Sequence, residues 1–183
     1  MAAAAAEKVR PLRRVEYDKL VALGVFEGER IELIDGVLLQ MSPIGPPHCE
    51  TVDRLTELFV LTFVGRARVR IQGSFAAGDV SEPEPDLSLL PLGDYGAEHP
   101  QQAYLVIEVA ESSLNFDRGR KARLYAECGI PEYWVVNLAN HTVEVHRVPN
   151  AGQYEQVRVF AKGSRLGLVS FPDVELNVDD FVP

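Results

Sequence analysis

The sequence predicts an α/β domain in which a central mixed β-sheet is flanked by helices and ends in an antiparallel C-terminal meander. Three observations carry that prediction. Residues 103–110 are apolar on both faces of a strand except at Glu108, the pattern of a central strand covered on both sides. Just after them, Lys121, Leu124, Tyr125 and Cys128 keep the i, i+3, i+4, i+7 spacing of one helix face, and the pattern stops at Gly129 with Pro131 beyond it. Residues 133–138, 142–148 and 154–160 then read as three antiparallel strands, with turns at Ala139-Asn140 and 149–152.

The remaining elements follow in chain order. Residues 1–14 read as a flexible basic arm, and 15–183 as a single domain. Residues 15–23 form a short helix that Gly24 ends. Residues 30–34 and 37–41 flank Asp35-Gly36, a strong two-residue hairpin signal. Residues 43–47, with three prolines, read as a breaker; from His48 to about Phe63 the pattern is helical, with Val52, Leu55, Leu58, Phe59 and Thr62 on one face. Residues 68–75 read as a strand and 76–85 as an acidic loop. A strand over 86–90 and a loop over 91–102 then lead into the Glu108 strand, and the tail, 161–183, holds one or two short strands.

Composition bounds the function. A chain of 183 residues, 46% hydrophobic and 25% charged, is ordinary for a globular protein with its own core. A net charge of −9 argues against broad binding of nucleic acid by charge alone, although a local basic surface is compatible with it. The two cysteines, Cys49 and Cys128, sit in helical patterns and read as reduced core residues of a cytoplasmic protein. The N-terminus lacks the order of a signal peptide, and no run reaches the ~18 apolar residues of a membrane span, so no membrane partner is expected.

The candidate chemistry lies between Asp86 and Lys121. A carboxylate in a doubly covered strand, as at Glu108, has to be paired, protonated or metal-bound. Asp86 opens the neighbouring apolar run, and Pro85 fixes an extended entry into it. Two carboxylates on adjacent strands can share a hard divalent cation, Mg²⁺ or Mn²⁺. Lys121 shares its helix face with apolar residues, while Arg120, Arg123 and Glu127 fall on another. In a chain with only four lysines among its 18 basic residues, an inward lysine points to a role for an ammonium. The alternative reading makes Asp86 a turn cap, puts Glu108 near an exposed strand end and pairs Lys121 with Asp117.

The pattern Pro85-Asp86, Glu108-Val109-Ala110 and Lys121 resembles the PD-(D/E)XK nuclease superfamily. In particular the chain is similar to the Uma family of putative restriction endonucleases. The resemblance runs from about Tyr17 to Phe181. Its most specific stretches are Asp117-Arg118-Gly119-Arg120-Lys121 and Gly129-Ile130-Pro131-Glu132-Tyr133-Trp134-Val135-Val136. It implies a restriction-endonuclease-like fold and a Mg²⁺-dependent (or Mn²⁺-dependent) endonuclease acting on nucleic acid, with DNA as the expected partner. The superfamily has lysine where this chain has Ala110, and the family reading moves that ammonium to Lys121. Asp86 and Glu108 then hold the metal with the Val109 carbonyl. Glu32, which matches an early acidic residue of the family, assists the metal or orients Lys121.

Other residues carry weaker signals. His48, at a helix start, is an accessory candidate or a surface capping histidine; Gln72, on the strand before the acidic loop, could line the site. Arg66, Arg68 and Arg70 alternate and would share a strand face, either as a phosphate track or as charges guarding an edge. His99, His141 and His146 have no ligand spacing, and Trp134 reads as core. The meander leaves a strand edge that suggests a homodimer. A different function class also fits −9 and Ala110: a catalytically degenerate nuclease fold that binds or regulates.

Overall fold

In the computed structural model, residues 9–183 are described; the part of the expected arm at residues 1–8 lies outside the described residues. Helix α1 (Arg14–Ala22) follows and buries Tyr17, and Gly24, at φ +72°, lies just past its end. Strands β1 (Ile31–Ile34) and β2 (Val37–Gln40) form the expected hairpin. Asp35 and Gly36 take φ of +51° and +76°, the left-handed pair that a tight hairpin turn requires. A side chain at Gly36 is excluded further, because its Cβ would lie 2.2 Å from that of Pro11. The hairpin stays apart from the main sheet and is stitched to the 76–85 loop by a bridge between Leu33 and Glu82.

Helix α2 (Pro46–Phe63) begins two residues before the expected start. Pro46 and Pro47 open the helix instead of breaking it, since a helix's first turn has no use for their missing N–H groups. The central sheet has six strands in the order β3-β4-β5-β6-β7-β8. These are β3 (Arg68–Ile71), β4 (Leu87–Leu90), β5 (Leu105–Ala110), β6 (Glu132–Asn137), β7 (Thr142–Asn150) and β8 (Gln153–Ala161). Only β5 and β6 run parallel, so the sheet is mixed, and β6 to β8 are the antiparallel meander. Strand β3 ends earlier than expected, at Ile71, because Gln72 turns to φ +45°.

A parallel pair needs a crossover, and here it is helical. It comprises α3 (Leu114–Phe116), a π-helical turn (Asp117–Lys121) and α4 (Ala122–Glu127), ending before Gly129 at φ +70°. The sheet separates two cores. On one face, Leu105, Ile107 and Val109 of β5 pack with Val52, Leu55, Phe59 and Phe63 of α2 and with Trp134 and Phe181. The last short strands, β9 (Arg165–Gly167) and β10 (Glu175–Asn177), pair with each other, and their Leu166 and Leu176 join this same core. On the other face, Val106 and Ala110 meet Ala122, Leu124 and Tyr125 of the crossover. Among the described residues, no helix is long and apolar enough to cross a membrane.

Candidate active site

The strand period sends Glu108 to the crossover face, between Val106 and Ala110. It is 4% exposed, and so is Lys121, which reaches it from the π-helical turn. Lys121 Nζ donates to Glu108 Oε1 at 3.0 Å and lies 3.3 Å from Glu32 Oε2. Lys121 is therefore inward, and its partners are Glu108 and Glu32 rather than the Asp117 of the alternative reading. Asp117 is itself buried and accepts the Ser113 hydroxyl at 2.5 Å. A π-helical turn admits one extra residue into the helix and is frequent at functional sites; nothing in the residue spacing announces it.

Asp86, just before β4, is held from three sides. Its Oδ2 accepts the Val109 N–H at 2.8 Å and lies 3.1 Å from His48 Nε2, while Oδ1 accepts the Gln72 amide at 3.3 Å. Because the carboxylate only accepts, Nε2 of His48 carries the proton; Nδ1 is buried without a partner. His48 is thus neither on the surface nor a cap: α2 begins early enough to place it at the head of that helix's buried stripe. Glu32 is likewise buried, and its Oε2 accepts the Glu84 N–H at 3.4 Å.

Asp86, Glu108, Lys121, Glu32, His48 and Val109 all line one cleft of about 410 Å³. Three residues that the sequence reading did not single out share this neighbourhood. Tyr125 donates its hydroxyl to Glu108 Oε1 at 2.8 Å, and Glu84 and Arg30 line the cleft. The helix spacing makes Tyr125 an inward residue but does not show what its hydroxyl meets. Arg30 lies two residues before Glu32, and so on its side of the extended chain, which is the signal the sequence holds for it.

The arginine stripe divides. Arg68 and Arg70 of β3 approach Tyr95, at 5.9 and 5.5 Å from its ring centre. Arg66 lies before the strand, paired with Asp173 at 2.8 Å and 5.1 Å from the Phe171 ring. None of the three lines the cleft. His146 packs against Tyr133 and Tyr154, His141 sits in a turn at φ +52°, and His99 lies 3.5 Å from Glu82. Trp134 is fully buried, and Cys49 and Cys128 are free thiols.

The site is electrostatically crowded. Burial pushes Glu108 well above the usual glutamate range; Lys121 pulls it back, while Asp117, Asp86 and Glu32 push it further. Burial would lower Lys121, but Glu108, Glu32 and Asp117 outweigh it and hold the ammonium above its ordinary value. Two carboxylate contacts fix the lysine's direction, so it stays charged and Glu108 is the partner nearer to protonation. Burial raises Asp86 too, yet the bonds from His48, Val109 and Gln72 overcome it and hold the carboxyl below the usual aspartate range. Burial raises Asp117 and Glu84.

These observations bear on whether a divalent cation fits. The cleft carries the carboxylates of Glu32, Glu84, Asp86, Glu108, Glu111 and Asp117. Of its cations, Lys121 is committed to Glu108 and Glu32, and Arg120 to Asp35 at 2.8 Å. Four of the carboxylates, those of Glu32, Asp86, Glu108 and Asp117, are buried, and a hard cation offsets such a concentration of negative charge. Among the described residues, no three His, Cys, Asp or Glu side chains are grouped to hold a metal unaided. Mg²⁺ does not need such a group, because it keeps several waters and uses one or two carboxylates. The residues present fit that ion.

Comparison with known proteins gives a family and a fold. A family model described as "Uma2: Putative restriction endonuclease" matches residues 15–179. Among solved structures, the chain is similar to one from Anabaena variabilis, described as a putative nuclease belonging to DUF820, with a TM-score of 0.75 at 19% identity. The alignment covers 94% of this chain and 98% of that one, and it shows a shared fold. No curated protein matches.

Proposed function

Since the chain belongs to the Uma2 family, we propose that it is a nuclease hydrolysing phosphodiester bonds of nucleic acid, DNA in the first instance, with Mg²⁺ or Mn²⁺ as cofactor. The observation that carries this reading is the convergence of Lys121, Glu108 and Glu32 beside Asp86 in one cleft. Asp86 and Glu108, with the Val109 carbonyl, would hold the cation, which when bound supplies Lewis-acid charge at the phosphate and a more acidic water.

The chain's own residues do the rest. His48, Gln72 and the Val109 N–H fix the orientation of Asp86 and keep it ionised. Tyr125 restrains Glu108, and Glu32 holds Lys121 from the hairpin side. Lys121, kept as an ammonium, serves as a fixed positive charge toward the phosphate oxygens and as an orienting donor to the attacking water; it is not a general base. Hydrolysis of a labelled oligonucleotide with Mg²⁺ tests this. Lys121→Ala should abolish turnover while leaving Mn²⁺ affinity nearly unchanged, and Lys121→Arg should also be poor because a planar fork replaces a point charge. Wild-type turnover in Lys121→Ala would remove the role.

A second reading, a catalytically degenerate fold that binds or regulates, draws on Ala110, on the net charge of −9 and on the lack of a ready-made metal ligand group among the described residues. No turnover by the wild type across Mg²⁺ and Mn²⁺ would favour it. We also propose a homodimer, supported by β8, an edge strand with Val157 and Val159 exposed. Light scattering that gave the 20.3 kDa monomer mass at micromolar concentration would refute it.

A further inference from the structure

The reacting groups are buried in the cleft, and part of its lining is apolar, beside polar residues such as Gln40 and Ser42. Glu32, Asp86, Glu108 and Lys121 are all buried. A cleft of about 410 Å³ has the size of a pocket for one small molecule, not of a trough for a polymer surface. Its apolar side is Leu39, Met41, Ile44 and Phe116. The Phe116 ring centre lies 5.9 Å from Lys121 Nζ, so the apolar wall begins where the charged cluster ends. Ile44 stands at the mouth, 41% exposed. Arg30 lines the same cleft and has no ion-pair partner among the described residues, whereas Arg120 and Lys121 are committed.

From this arrangement we infer that the cleft takes one unpaired nucleotide, so that the substrate is single-stranded nucleic acid. The inference rests on the nuclease reading of the same site. The phosphate sits between Arg30 and Lys121, and the base lies against Phe116 with Met41 and Ile44 around it. A duplex keeps its bases paired and stacked inside and presents a convex rim of phosphates. Such a phosphate reaches buried carboxylates only if its nucleotide leaves the stack, at a cost in unpairing. An unpaired nucleotide brings a free aromatic face that stacks on a ring without regard to sequence. The charge balance agrees. A protein that tracks a duplex neutralises many phosphates, and a chain of net charge −9 with one uncommitted cation in its cleft is suited to one or two.

Fluorescence anisotropy tests this without turnover. The wild-type protein in EDTA is titrated with a short fluorescein-labelled DNA strand and with the same strand annealed to its complement. The single strand should bind roughly tenfold tighter. Log affinity against log salt should have a slope near −1, against the steep slope of a binder making about 6–10 phosphate contacts. Phe116→Ala and, independently of any effect on packing, Ile44→Ser should each weaken the single strand by about five- to tenfold and leave the duplex unchanged. Equal or tighter duplex binding, no binding of either, or unchanged single-strand affinity in both variants overturns the inference. Adding Mg²⁺ then separates the two claims. Strand preference without hydrolysis keeps the substrate class and removes the nuclease, whereas preferential duplex hydrolysis keeps the nuclease and removes the substrate class.

Discussion

Strand β5 divides the molecule into two regions of opposite physics. Leu105, Ile107 and Val109 face a layer built mainly of apolar side chains from α2 and the tail. Glu108, one residue away from both Ile107 and Val109, faces a layer in which Lys121, Glu32, Asp86 and Tyr125 are buried together. The first layer gains free energy chiefly from area removed from water. The second gains little from its ion pairs, because desolvation offsets most of their attraction, and it loses heavily if one partner is removed. The dry face supplies stability, while the charged face stores an electrostatic conflict that a bound cation would relieve.

The most damaging change to the charged layer is the loss of Lys121, the cation that bridges Glu108 and Glu32. Lys121→Ala leaves Glu108 and Glu32 uncompensated and should cost about 3–5 kcal/mol at pH 8 by urea denaturation. The cost should be smaller at pH 5, because burial already favours the protonated form of Glu108, which needs no counter-charge. The same cost at both pH values would show that the lysine is not balancing carboxylates. Ile107→Ala, on the dry face of the same strand, should cost about 2–5 kcal/mol, equally at pH 5 and 8. A pH-dependent cost there would mean that the two layers are not separate.

A smaller effect of opposite sign tests the rim of the charged layer. Burial first, and then the charge of Asp18, push Glu82 up to about 7. A carboxyl whose folded pKa lies above its unfolded value stabilises fully below the unfolded value, and that contribution is lost as pH rises through 7. Glu82→Gln should therefore match the wild type near pH 4 and be more stable at pH 8 by up to about 3 kcal/mol. A variant less stable than the wild type at pH 8 would contradict the conflict described here. Asp86 has the opposite linkage: its lowered pKa adds stability above the unfolded value that disappears as pH falls through the folded one.

The two regions were not equally legible in the sequence. The dry layer and its helices follow from short-range periodicity, and so do the placement of Glu108 on a buried strand and the inward direction of Lys121. The Asp35-Gly36 turn was readable because few residues tolerate its backbone. What escaped depends on contacts between distant segments. His48 meets Asp86 only because two prolines start α2 early, which local breaker chemistry argues against. The bonds that Tyr125 and Gln72 make to the carboxylates, and the separation of Arg66 from Arg68 and Arg70, are set by the packing of the crossover and by the end of β3 at Gln72. Those are tertiary outcomes with no local pattern.

If the charged face of β5 is a divalent-cation site held by Asp86 and Glu108, as proposed, Mn²⁺ binding depends on both carboxylates. Calorimetric titration of Mn²⁺ into the wild type, Asp86→Ala and Glu108→Gln tests it most directly. A single site in the wild type that weakens strongly in both variants, with the fold of each intact by circular dichroism, is the predicted result. Equal affinity in all three proteins would contradict it, and the buried carboxylates would then have to be explained by their protein partners alone.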